Sequence, residues 1–275
     1  MLDDLAAYNK KRWEELAQAG VPYSLPNLGL TPESAMAAVN STGILGPSLE
    51  GKDVLCLASG GGQQSAIFGL LGANVTVLDL CETQLERDRE AARYYGLEIR
   101  TVQGDMRDLS CFPKDSFDIV WHAHALNFVP DAPQVFREVA RVIRRGGIYR
   151  LKCWGPHSHG ASEVEWTGKG YVVSQPYRDG PVDWADEHWD VKGPDGVDRR
   201  VLGPHEFRHT LTTLINGMCD CGFRILRVAE LSDGAEPGAT PEPGTWEHFG
   251  TVLPQWLVFW ARWEPSDGMP TREAR

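Results

Sequence analysis

Three glycines, Gly60, Gly61 and Gly62, end the apolar run of VLCLASGGGQQS, and two aspartates, Asp79 and Asp105, end later apolar runs in the same half of the chain. A glycine turn lets backbone approach a ligand closely, and the start of the helix behind it favours a negative group. Asp79 lies 17 residues beyond Gly62, at the close of NVTVLDL, where a carboxylate can accept two hydroxyl hydrogen bonds from a ribose. Asp105, in GDMRDL, can accept from an exocyclic amine such as that of adenine. Taken singly, each has an ordinary reading as a tight turn, a helix cap or a turn residue; in register they form a three-point pattern for a nucleoside.

These residues need a scaffold, and residues 52–151 supply the signs of one. Short β-branched runs alternate with helical patterns, the signature of βαβ units and a parallel sheet. DVLCLA, NVTVLDL, EIRTVQG, FDIVWHA and GIYRLKCW read as strands; QQSAIFGLLG, TQLERDREAARYYG and APQVFREVARVIRRGG read as helices. In the last of these, Asp131 caps, Pro133 fits the first turn, and Gly146 supplies a left-handed stop beside a face of Arg137, Arg141, Arg144 and Arg145. The periodic pattern resumes in PHEFRHTLTTLINGMCDCG, a helix with Phe207, Leu211, Leu214, Ile215 and Met218 on one face, and FRILRVAEL and QWLVFWARW read as closing strands.

Order and gaps together resemble the class I S-adenosylmethionine-dependent methyltransferases, in particular the small-molecule group. VLCLASGGG matches that family's first motif, VTVLDL its ribose-binding strand, GDMRDL its adenine contact and FDIVWHAHALNFVPD its fourth motif. The resemblance implies an α/β, Rossmann-like doubly wound sheet, mostly parallel with an antiparallel last strand. It implies S-adenosylmethionine as cofactor, held by Ser59, Gly60, Gly62, Gln64, Asp79, Leu80, Gly104, Asp105, Met106 and His122, and methyl transfer to a small-molecule acceptor. His124 is the candidate for base or acceptor positioning; Asn127 stands where relatives often carry histidine. Two positions depart from the family: Cys56 replaces an acid and Ala58 replaces the first glycine, so Gln63 or Gln64 is expected to take over part of the acid's role at the cofactor's amino-acid end.

Four segments are expected: an N-terminal cap over residues 1–49, the cofactor-binding core over 50–153, an aromatic-rich lid over 154–204, and the last helix, closing strands and tail over 205–275. The lid is expected because a stretch this long without regular pattern, carrying His157, His159 and His188 among tryptophans and tyrosines, is usually a binding insertion. Trp246 and His248 read as part of a loop before the last strand. His122 and His124 sit two apart at a strand end, but no third ligand has a telling spacing, so no metal is expected.

A net charge of -11 argues against a nucleic-acid partner. No apolar run approaches the ~18 residues of a membrane span, and six irregularly spaced cysteines resemble reduced thiols, which together point to the cytoplasm. Self-association into a homo-oligomer stays open. So does a cofactor-binding protein of the same fold without transferase activity. An NAD-dependent oxidoreductase fits less well, since SGGGQQS lacks the third glycine of its fingerprint and leaves Asp105 without a task.

Overall fold

A computed structural model describes residues 2–184, 187–233, 238 and 240–266. Two helices come first, α1 (Asp4–Ala19) and α2 (Pro32–Asn40). The alternating region follows: β1 (Asp53–Leu57), α3 (Gln64–Leu70), β2 (Asn74–Asp79), α4 (Glu82–Tyr95), β3 (Ile99–Gln103), β4 (Phe117–His122), α5 (Ala132–Val142) and β5 (Ile143–Trp154). Short strands β6 (Gly180–Pro181), β7 (His188–Lys192), β8 (Asp198–Leu202) and β9 (Phe207–Arg208) lead to α6 (Leu211–Asp220), β10 (Phe223–Leu231), α7 (Trp246–Val252) and β11 (Trp256–Trp263).

Seven strands form one sheet in the order β10-β11-β5-β4-β1-β2-β3. Neighbours from β3 to β5 run parallel, and β11 is antiparallel to both β5 and β10. Strand order reverses between β1 and β4, and such a sheet leaves its ligand crevice beyond the carboxyl ends there. The apolar runs are continuous because both faces are covered. Leu55 and Leu57 of β1 enter the core that holds Phe136, Tyr149 and Phe259; Val54 and Cys56 enter the opposite core with Phe68 and Trp121. Cys56 thus packs as a small apolar group, and burial pushes its thiol well up from the usual range.

Three expectations from the sequence are corrected. Helix α5 stops at Val142, and Ile143 already pairs with Phe117 in the sheet. Arg144 is therefore a strand residue, bonded to Asp118 at 2.9 Å and Asp53 at 2.8 Å, and Gly146, with φ of +84°, sits in the bulge between the Ile143 and Ile148 pairings instead of stopping a helix. Phe207 belongs to β9, outside α6, whose cap is Thr210. Trp246 and His248 lie in α7, where the Thr245 side chain accepts from the His248 N–H. The segment between β5 and α6 also has structure of its own, an antiparallel β7–β8 hairpin and a β6–β9 pair.

Candidate active site

A cavity of about 1090 Å³ opens at the carboxyl ends of β1 to β5. Ala58, Ser59, Gly60 and Gln64 form its middle, Asp79, Leu80, Gly104, Asp105 and Met106 one end, and His124, Trp154, Trp184, Trp246 and Trp256 the other. Of the residues picked from the sequence as cofactor contacts, eight line this space. Gly62 and His122 do not.

Gly62 works behind the loop. A Cβ there would stand 2.6 Å from the Arg87 carbonyl oxygen of α4, and its φ of +73° is left-handed, so the residue is fixed by the approach of a helix. The reason for that approach is Asp88. Its carboxylate accepts from the Gly61 and Gly62 N–H groups, each at 3.1 Å, and from the Ser65 hydroxyl at the start of α3. Burial, with the Asp79 charge adding, pushes the Asp88 carboxyl up to about 7 while its donors pull it back. Sequence reasoning missed this residue. Of the two glutamines expected to take over part of the role of the acid lost at position 56, both line the cavity, and the Gln63 amide donates to the carbonyls of Pro22 and Leu25 and ties the N-terminal segment to the loop. Ala58, standing where the family has glycine, carries a φ of +46°.

Asp79 uses one oxygen for the Gly60 N–H and the other for the Cys81 N–H, both at 2.9 Å, and its carboxylate lines the cavity with acceptor capacity left over. Burial raises it to about 6 despite those donors. Asp105 is gripped by Arg107, whose Nη2 stands 2.6 Å from its carboxylate and whose Nη1 reaches Asp3, the cap of α1, at 2.7 Å. Asp105 and the cap of the N-terminal helix therefore share one guanidinium.

At the other end the two histidines part company. Strand β4 ends at His122, so its alternation does not carry to His124. His122 is fully buried, with Nδ1 2.9 Å from the Tyr149 hydroxyl. His124 faces the cavity among the rings of Trp256, Phe128 and Trp154, its Nε2 has no hydrogen-bond partner, and burial holds the imidazole well below its usual range, hence neutral. Beside it runs a second array that the sequence did not show. The Trp154 N–H donates to Asn127 Oδ1, which turns the Asn127 amide nitrogen toward the Phe207 carbonyl and His159 Nδ1; His159 Nε2 then carries the proton and donates to Glu206 at 2.9 Å. Burial pushes Glu206 up to about 8. Glu206 lines the cavity.

The roof is shared. Trp13 of α1 meets Trp189 of β7, Tyr23 and Phe128 edge to face, and Leu16 and Val21 pack with Val191. Glu14 of α1 accepts from the Glu82 N–H at 2.8 Å and from Thr83 at the start of α4. Among the described residues no group of three or more His, Cys, Asp or Glu side chains is placed to hold a metal ion.

Comparison with known proteins decides the family. Residues 55–151 match the Methyltransf_11 family, described as a methyltransferase domain. The chain is 38% identical over 238 residues to the methyltransferase YbaJ of Bacillus subtilis, itself uncharacterised, spanning 82% of this chain and 89% of that one. The chain belongs to the class I S-adenosylmethionine-dependent methyltransferases. An S-adenosylmethionine-dependent methyltransferase from Mesorhizobium loti superposes with a TM-score of 0.64 at 25% identity, over 83% of this chain and 97% of that one. One from Clostridium acetobutylicum, at 14% identity and a TM-score of 0.57 over 92% and 96%, shares the fold. The methyltransferase takes S-adenosylmethionine, and the residues present suit it: Asp79 has lone pairs free for a ribose, and the buried Ser59 hydroxyl on the loop lacks a protein partner.

Proposed function

We propose that the methyltransferase acts on a small molecule enclosed beneath a cap formed by residues 1–49 and 154–204. One observation carries this: the acids suited to a nucleoside and the tryptophan wall around His124 face the same cavity, about 1090 Å³ in volume. Single-ligand sites commonly run from about 300 to 1,000 Å³, so this volume suits a cofactor and an acceptor side by side. Ser59, Gly60 and Gln64 hold the middle of the cofactor, Asp79 and Leu80 its ribose, and Gly104, Asp105 and Met106 its adenine. When bound, the sulfonium supplies an already electrophilic methyl group.

The chain's own residues then have three tasks: to bring acceptor and methyl in line, to exclude water, and to receive a proton where the acceptor carries one. Trp154, Trp184, Trp246 and Trp256 bury apolar surface around the acceptor. His124, neutral and with Nε2 unpartnered, accepts a hydrogen bond from the acceptor and orients it. The net charge of -11 supports a small acceptor over nucleic acid. The six unpaired cysteines support a cytoplasmic location. Among the described residues no helix is long and apolar enough to cross a membrane.

The test is calorimetry with S-adenosylhomocysteine, followed by a screen of small acceptors with methyl-labelled S-adenosylmethionine. Binding with label transferred to a low-molecular-weight product is expected. Label appearing only in added protein or nucleic acid would overturn the small-molecule reading.

A further inference from the structure

Two cations on the cavity wall have no task in the site described so far. Arg150 and Lys152 are two apart on β5 and so share a face of the strand. Arg150 holds its guanidinium 4.4 Å over the ring of Trp121, its neighbour across the β4–β5 pairing, and Lys152 holds its ammonium 4.2 Å over Trp256. Both line the cavity, and both are partly buried. Arg150 Nε is buried without a hydrogen-bond partner. Most carboxylates around the cavity are held elsewhere: Asp79 by backbone, Asp105 by Arg107, Glu163 by the Ser162 hydroxyl, Glu206 by His159 and Asp190 by Arg200. Asp233 alone is felt electrostatically by Lys152, and Arg150 opposes that by repulsion.

Two like charges withdrawn from water beside each other are costly unless an anion joins them. We propose that Arg150 and Lys152 form a carboxylate-binding subsite of the cavity. The inference rests on the cavity being the cofactor and acceptor site. A guanidinium takes a carboxylate in a two-point fork and an ammonium adds a point charge, while the two tryptophan faces hold both cations in place. The carboxylate comes from the amino-acid end of the cofactor or from the acceptor. The first source would answer the loss of the acid at position 56 with groups from a different strand.

The experiment uses the full chain and its Arg150→Met and Lys152→Met variants, with Arg150→Lys retaining the charge. Calorimetry compares S-adenosylhomocysteine with 5′-methylthioadenosine, which lacks the amino-acid end. If the cofactor is the source, both Met variants lose about 10- to 100-fold in affinity for the first ligand and none for the second, and Arg150→Lys loses less. If the acceptor is the source, S-adenosylhomocysteine binds all forms alike. Phenylacetate or octanoate then quenches the tryptophan fluorescence of the saturated wild type, their primary amides do not, and the Met variants lose the response. Absence of S-adenosylhomocysteine binding to wild type would overturn the cofactor reading alone, and the carboxylate and amide comparison is then made without it. The subsite is refuted if neither ligand pair distinguishes wild type from the Met variants while their melting temperatures match or exceed wild type. A Met variant that melts lower is judged by the Arg150→Lys comparison instead.

Discussion

Replacing Asp88 by alanine isolates what holds the glycine loop. The carboxylate receives the Gly61 and Gly62 N–H groups and the Ser65 hydroxyl, but the Gly61 N–H also points to the Gln84 carbonyl at 3.1 Å. The Gly62 N–H and the buried Ser65 hydroxyl lose their partner, at about 1–3 kcal/mol each, and the weakened Gly61 bond adds about 1 kcal/mol. The expected loss is about 3–7 kcal/mol in urea unfolding at pH 5.5, with an unchanged slope. Burial raises the Asp88 carboxyl from 3.8 to about 7 in the folded chain, so its contribution is full below 3.8 and declines as pH rises through 7. The gap between wild type and Asp88→Ala should therefore narrow at pH 8. Affinity for S-adenosylhomocysteine should fall as well, although Asp88 does not line the cavity, because the loop loses its brace. A loss below about 1 kcal/mol with unchanged affinity, or a gap that widens with pH, would refute the reasoning.

Ala58→Gly should stabilise the protein by about 0.5–1 kcal/mol, since an alanine at φ of +46° carries about 1–2 kcal/mol of strain and glycine returns part of that as chain entropy; a lower urea midpoint would contradict this. Glu206→Gln should remove a pH dependence. The folded carboxyl is raised from 4.5 to about 8, so wild-type stability from this group is present below 4.5 and lost through 8, and the melting temperatures of the two proteins should diverge in the variant's favour from pH 5 to pH 8. Parallel curves would place Glu206 elsewhere. With an acceptor found by screening, His124→Phe should lower kcat at least about 10-fold while leaving S-adenosylhomocysteine affinity unchanged, because the ring packing is kept and only Nε2 is lost; equal loss in both quantities would mark His124 as structural.

The alternating half of the chain was legible because β1, β2 and β4 are buried on both faces and Asp131 marks the start of α5 by accepting from the Gln134 N–H. The start of β5 was misread because Arg141, Arg144 and Arg145 extend a helical spacing that the sheet overrides by pairing Ile143 with Phe117. Phe207 has helical spacing with Leu211, yet the pairing of Phe207 with Pro181 depends on a partner remote in sequence. The site was half legible. Asp79 at the end of β2 and Asp105 just beyond β3 reach the cavity by their place in the strand pattern, whereas Glu206 is joined to the site by His159, 47 residues away. Two signals went unread: Asp88 shares the buried face of α4 with Leu85 and Ala92, and the cations of IYRLKCW alternate onto one side of a strand that is otherwise apolar.

The brace from α4 also bears on how this loop varies among relatives. Where the family carries an acid on the first strand, this chain carries Cys56, close enough to the Asp88 carboxylate for that charge to raise its thiol. Strand and helix offer two addresses for one negative group, and a buried pair there would repel. Cys56→Asp, which restores the family's consensus residue, should then destabilise the protein, and adding Asp88→Ala should recover part of the loss. In an alignment the two positions should trade the acid between them and rarely hold it together.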